Sequence, residues 1–395
     1  MTSTCSLLGN WNYPTQIRIG AGRFKELPQA CTVLGITSPL IVTDPGLIHF
    51  PMINQAVQAC QNAGLNVDVF HRVKTNPNEE NVLEGIRVYR AGHHDGVIAL
   101  GGGSALDAAK AIALMVGQTR PLWDFEDLGD NWTRVNVVGM APVIAIPTTA
   151  GTGSEVGRAS VITDSVRQLK TIIFHPNMIP KLVILDPELT RDLPPALTAA
   201  TGMDALAHNL EAYCSPSYHP MAEAIALEGI RLVKDNLLRA VQNGQDLNAR
   251  CQMLVASCMG ATAFQRGLGA MHALAHPLGA LYDAHHGRLN AILMPYILVA
   301  NRSAIESKIE RLASYLQLAN GFDGFLDWLL TLRTDLAIEH SLTELGIKIE
   351  HPERIAHMAI QDAAAGGNPI AYTVVQYEQI LRAAIEGDLS NAVMN

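Results

Sequence analysis

A chain of 395 residues exceeds the size at which one hydrophobic core usually stops growing, so two domains are expected. With 48% apolar and 16% charged residues it can bury large cores, which excludes intrinsic disorder. The net charge of −9 is spread without a Lys/Arg block, which excludes the electrostatic footprint of nucleic-acid or anionic-membrane binding and leaves small ligands.

Met1 to Asn10 has no basic n-region and only Leu7-Leu8 where a signal peptide carries a longer apolar run, so secretion is not expected. No stretch reaches the roughly 18 to 20 consecutive apolar residues of a spanning helix. Six cysteines (Cys5, Cys31, Cys60, Cys214, Cys251 and Cys258) form no C-x-x-C pair, the usage expected of buried thiols in the reducing cytoplasm.

The first half alternates short apolar runs with helical stretches. Leu40 to Thr43 reads as a strand, Gln55 to Asn62 as a helix, Val67 to Phe70 as a strand, Glu79 to Ala91 as a helix and Gly96 to Leu100 as a strand. Further strands are expected at Val143 to Ile146, closed by Pro147, and at Leu182 to Leu185, closed by Asp186-Pro187. This alternation predicts a parallel sheet with crossover helices. After Asp192-Leu193-Pro194-Pro195, Ala, Leu and Met recur at helical spacing and β-branched runs become scarce. The expected fold class is therefore an α/β N-terminal domain over 1–192 followed by an all-α domain over 193–395.

Leu100-Gly101-Gly102-Gly103-Ser104 follows an apolar strand and runs into the Ala-rich helix of Asp107 and Lys110. Side-chain-free residues at such a turn let a pyrophosphate approach backbone N–H groups at the helix N-terminus, and Ser104 is a candidate cap. The spacing matches neither G-x-G-x-x-G nor a Walker A loop. In a G-x-G-x-x-G dinucleotide-binding unit the ribose-binding acid lies about 20 residues after the turn, whereas the best acid here, Asp44, precedes it. Asp44 suits a ribose hydroxyl, and equally a turn before Pro45-Gly46. Pro147-Thr148-Thr149-Ala150-Gly151-Thr152-Gly153-Ser154-Glu155 is a second strand-ending loop, a candidate lining for the same phosphate or nicotinamide.

In the helical half, Asp204 and His208 are four apart and share one helix face. A second cluster holds His272, His276, His285 and His286. A carboxylate and several imidazoles among Ala and Leu are costly to bury without a shared purpose. They suit Fe²⁺ or Zn²⁺, and the absence of cysteine disfavours a structural zinc cage.

Taken together, Gly101 to Ser104 with Asp107 and Lys110, Pro147 to Thr152, Asp204 with His208, and His272 through Gly287 resemble the iron-containing alcohol dehydrogenases. The similarity runs from Tyr13-Pro14 and Gly20-Ala21-Gly22 past Leu293-Met294-Pro295. It implies a dehydroquinate synthase-like fold with a dinucleotide-binding domain and a helical metal-binding domain. By motif, it implies that Asp204, His208, His272 and His286 hold the metal, iron with zinc as the alternative, and that His276 sits beside nicotinamide and substrate. Asp44, Asn76, Gly101, Gly102, Gly103, Ser104, Asp107, Thr148, Thr149, Thr152 and Lys170 fall at cofactor positions, and Leu189 borders the adenosine. His285 and Arg288 depart from the family pattern. The implied activity is hydride transfer between NAD and a small primary alcohol or diol and its aldehyde, in a homo-oligomer, with a cation polarising the substrate oxygen. Two other readings are a metal- and NAD-dependent lyase of the same fold, which needs basic residues around an acidic substrate, and a non-catalytic helical assembly subunit, which needs no metal.

Overall fold

The structure is a computed structural model that describes residues 9–11, 15–167 and 169–394. Cys5, the Leu7-Leu8 pair and Tyr13-Pro14 lie outside the described residues. The chain divides into two compact units: one runs to Leu193 and takes in Gln245–Leu254, the other comprises Pro194–Gly244 and Val255–Asn395.

The first unit alternates strands and helices: β1 (Gly9–Trp11), β2 (Gln16–Ile19), α1 (Leu27–Val33), β3 (Pro39–Val42), α2 (Pro51–Asn62), β4 (Asp68–Phe70), α3 (Glu79–Ala91), β5 (Gly96–Gly101), α4 (Gly103–Met115), β6 (Val143–Pro147), β7 (Ala159–Asp164), β8 (Leu169–Phe174) and β9 (Leu182–Leu185). Seven strands form one sheet in the order β1-β2-β9-β6-β5-β3-β4, parallel except where β1 meets β2. Every residue of β3, β5, β6 and β9 is buried, as expected of a parallel sheet covered on both faces. The runs read as strands in the sequence are strands here. Helix α2 starts four residues earlier than its periodicity suggests, because Pro51 opens it at a position where no N–H is needed.

The antiparallel hairpin β7–β8 stands apart from the main sheet and was not expected from the sequence. The inward positions of β7 are Ser160, Ile162 and Asp164, all buried, so its alternation is one of burial and not of hydrophobicity.

The second unit is helical: α5 (Pro195–Cys214), α6 (Pro220–Gln242), the part of α7 (Leu247–Ala263) from Val255, α8 (Ala270–Tyr282), α9 (His286–Ala300), α10 (Arg302–Tyr315), α11 (Gly321–Asp335), α12 (Pro352–Gln361) and α13 (Val374–Glu386). Almost every residue of α5 from Thr198 to Cys214 is buried, so it is the central helix, and any polar side chain on it must find a partner indoors. Among the described residues no helix is long and apolar enough to cross a membrane.

Candidate metal centre and strand-end loops

Helix α5 carries Asp204, His208 and Glu211 at i, i+4 and i+7, one face of the helix. Helix α8 carries His272 and His276 one turn apart, and His286 is the first residue of α9. Gly287 follows because a Cβ there would stand 2.2 Å from the Ala200 carbonyl oxygen, and only its absence lets α9 begin against α5. One ligand atom from each of Asp204, His208, His272 and His286 then lies within 4.8 Å of the others. The first three are buried and His286 is partly so, and the His208 and His272 rings stack at 4.7 Å.

Two further side chains hold this cluster. Glu211 Oε2 accepts from His272 Nδ1 at 2.6 Å, and its Oε1 accepts from the Met271 backbone N–H at 2.8 Å. The carboxylate thereby keeps the proton on Nδ1 and leaves Nε2 as the lone pair facing the cluster. Asn290, one turn after His286 on α9, donates Nδ2–H to Asp204 Oδ1 at 2.7 Å. Burial pushes the His272 pKa down, but the charge and hydrogen bond of Glu211, with Asp204 and Asp362, outweigh it and leave it raised. The buried carboxylates of Asp204 and Glu211, with the partly buried Asp362, thus create a strong demand for positive charge. One carboxylate oxygen and three imidazole nitrogens fit a borderline divalent ion such as Fe²⁺ or Zn²⁺.

His276 stands beside the four. Its ring stacks on His286 at 5.5 Å and meets His272 edge-on at 5.8 Å, and its Nδ1 donates to Asp362 Oδ2 at 2.9 Å. Asp362, at the end of α12, is itself fixed through Oδ1 by the Ala364 N–H. Burial raises the Asp362 carboxyl, yet the charge and bond of His276 hold it below its usual range. His285 is the partly buried residue just before α9 and is not among the converging four. Arg288 pairs with Glu339. The basic side chains Arg266 and Lys308 are spent on backbone carbonyls and Glu223, which does not favour the acidic-substrate lyase.

In the first unit, strands β3 and β5 are parallel neighbours, so their carboxyl ends lie side by side. Asp44, which precedes the glycine turn in the sequence, thereby lies beside it in space. A Cβ on Gly101 would stand 3.5 Å from Asp44 Oδ2 and 2.7 Å from Ala105 Cβ, and Gly101 has φ +157, so a glycine is needed there. The Thr148 N–H donates to the Gly101 carbonyl, and a Cβ on Gly103 would press on Thr152 Cγ2 at 2.5 Å. Thr149 faces Gly102. Asp44 also accepts from the Gly46 and Leu47 N–H groups, so it forms the turn before α2 as well as lining the strand ends.

Ser104 does not cap α4, which differs from the sequence expectation. The N-cap is Gly102, with no side-chain cap, and the Ser104 hydroxyl donates to the Thr75 carbonyl, drawing the Thr75-Asn76 segment to the same edge. Asp107 accepts from Ser154 Oγ at 2.5 Å and the Val161 N–H at 3.1 Å, bracing the Thr148 to Glu155 loop. Lys170 lies on β8, paired in register with Thr163. Leu189 is 8% exposed and belongs to the core cluster with Phe24, Leu27 and Ile184. Glu211 and Asn290 were legible as helical repeats of Asp204 and His286, whereas Asp362, 86 residues from His276, carried no signal.

The family profile described as iron-containing alcohol dehydrogenase matches residues 14–187, and that of the Fe-containing alcohol dehydrogenase family, C-terminal, matches 198–385. The chain is similar to the 4-hydroxybutyrate dehydrogenase of Cupriavidus necator, 37% identical over 379 residues, covering 93% of this chain and 98% of that protein. A crystal structure of 1,3-propanediol oxidoreductase superposes with a TM-score of 0.88 at 34% identity, over 93% of this chain and 97% of that one. The sulfoacetaldehyde reductase of Bifidobacterium kashiwanohense, in complex with NAD+, superposes with a TM-score of 0.86 at 27% identity, over 97% and 99%.

Proposed function

The chain belongs to the iron-containing alcohol dehydrogenase family, and from that premise we propose that it transfers a hydride between NAD(H) and a small primary alcohol or diol and the corresponding aldehyde. The observation that carries the reading is the convergence of Asp204, His208, His272 and His286 within 4.8 Å on three buried helices. The names of the relatives that act on 4-hydroxybutyrate and 1,3-propanediol support the size and class of substrate. When bound, the cation supplies Lewis acidity at the substrate oxygen, and the dinucleotide accepts or returns the hydride.

The chain's own residues account for the rest. Asp204, His208, His272 and His286 hold the cation, iron first and zinc as the alternative, and Glu211 fixes the His272 tautomer. The Gly102 to Ser104 backbone at the uncapped start of α4 offers N–H groups and the positive end of the helix dipole to a pyrophosphate. Asp44, beside Gly101, accepts from a ribose hydroxyl and repels a 2′-phosphate, which selects NAD over NADP. His276 moves the proton: Asp362 holds Nδ1, so Nε2 is the nitrogen left to exchange it. The burial of Cys31, Cys60, Cys214, Cys251 and Cys258 supports a reducing cytoplasm as the location.

The test is anaerobic purification, metal analysis, and NAD- and NADP-linked oxidation of short alcohols and diols with Fe²⁺, Zn²⁺ or chelator. Metal-restored activity that disappears in Asp204→Ala and His272→Ala is the expected result. No bound metal and no turnover with any alcohol or aldehyde would reject the reading.

A further inference from the structure

Asn290 is fully buried at the middle of the metal centre. Its Nδ2 stands 2.7 Å from Asp204 Oδ1, 3.1 Å from His272 Nε2 and 3.1 Å from His286 Nε2, and so reaches three of the four residues that converge there. Its Oδ1 is buried without a hydrogen-bond partner. A buried acceptor left unsatisfied costs about 1–3 kcal/mol, so this orientation persists because of what Nδ2 provides. An amide nitrogen has two hydrogens, too few for three acceptors. Imidazole lone pairs directed at a cation no longer accept hydrogen bonds, whereas a carboxylate that gives one lone pair to a cation keeps others for a donor. The Asp204 bond is therefore the one compatible with a loaded centre, and it is a charge-assisted one.

We propose that Asn290 is a positioning residue of the metal centre: its Nδ2–H fixes the orientation of the Asp204 carboxylate, as Glu211 fixes His272. The inference rests on the reading of Asp204, His208, His272 and His286 as the metal ligands. Helix geometry makes the arrangement possible. His286 and Asn290 are one turn apart on α9, so the helix that delivers a ligand also delivers the group that orients a ligand on α5.

The experiment loads metal-free protein with Co²⁺ alone and follows affinity and the visible ligand-field spectrum in wild type, Asn290→Ala, Asn290→Asp and Asp204→Ala. Asn290→Ala is expected to bind Co²⁺ about 10–100-fold more weakly with shifted bands, the range for loss of a group that orients a ligand. Asn290→Asp has the same shape but an acceptor in place of the donor, and is expected to bind no better than Asn290→Ala. Should the alanine variant fail to fold, the volume-conserving aspartate variant carries the comparison. Wild-type affinity and spectrum in Asn290→Ala would overturn the inference. So would tighter binding by Asn290→Asp, which would make residue 290 an oxygen ligand in place of a donor. Equal failure of wild type and Asp204→Ala to bind Co²⁺ would sink the ligand assignment itself, an outcome distinct from normal wild-type binding with indifferent Asn290 variants.

Discussion

At the scale of single residues, the metal centre has two kinds of polar side chain. Asp204, His208, His272 and His286 converge, while Glu211 accepts from His272, Asn290 donates to Asp204 and Asp362 accepts from the neighbouring His276. The pairing of His276 with Asp362 has a measurable consequence. Asp362→Asn keeps the volume but removes the acceptor charge that fixes Nδ1–H, so turnover should fall about tenfold or more with bound metal unchanged. His276→Ala should cost about 10²-fold or more, within the range of acid–base contributions. Steady-state rates together with metal analysis check both, and full turnover in His276→Ala would remove the proton-transfer role. At the strand ends, Asp44→Ser removes the charge that disfavours a 2′-phosphate. The ratio of kcat/KM for NAD to that for NADP should drop at least tenfold, and an unchanged ratio would return Asp44 to its role as a turn residue.

At the scale of elements, the loop after β6 shows how a strand end is held in place. Lys110 on α4 donates to the carbonyls of Ser154 and Ala159, and Asp107 binds Ser154 and Val161, so one helix face anchors both the loop and the start of β7. Glu155 is buried in the same place with Oε1 unpartnered. Burial raises its carboxyl to about 7 against the pull of its own backbone N–H and of Lys110. Between 4.5 and about 7 the folded protein therefore holds a proton that the unfolded chain has lost. Stability falls as pH rises through that window, and the penalty is complete above it. Glu155→Gln should flatten this slope and gain on the order of 1–3 kcal/mol at pH 8 relative to pH 4.5. Urea unfolding of both proteins at the two pH values measures it, and parallel pH profiles would contradict it. Gly103→Ala tests the same loop sterically. The added Cβ meets Thr152, and the KM for the dinucleotide should rise about tenfold while metal content stays constant.

At the scale of the whole molecule, the four residues proposed to hold the cation come from α5, α8 and α9 of the second unit alone, so cation binding should stabilise that unit. Removal by a chelator should abolish activity, preserve helical content and lower the melting temperature. Metal at a hundred times its dissociation constant should restore about 2.7 kcal/mol. A melting curve indifferent to metal would contradict the assignment. Much of this was legible in the sequence, because periodicity and ligand spacing are local properties. The buried strands β3, β5, β6 and β9 are continuous apolar runs, the helical half declares itself by Ala and Leu at helical spacing, and Asp204 with His208 share a face by arithmetic. Other features depend on strand order and helix packing, which no local pattern encodes. The adjacency of β3 and β5 puts Asp44 beside Gly101, although in sequence the acid comes first. The contact of α9 with α5 at Gly287 brings His286 to Asp204. The position of Asp362, just past the end of α12, gives His276 Nδ1 a carboxylate partner 86 residues away in sequence. The sequence by itself determined which chemical groups the protein owns and on which kind of element each sits. Only the tertiary structure decided which of them share a site, because distance in space between remote segments is set by packing and not by spacing along the chain.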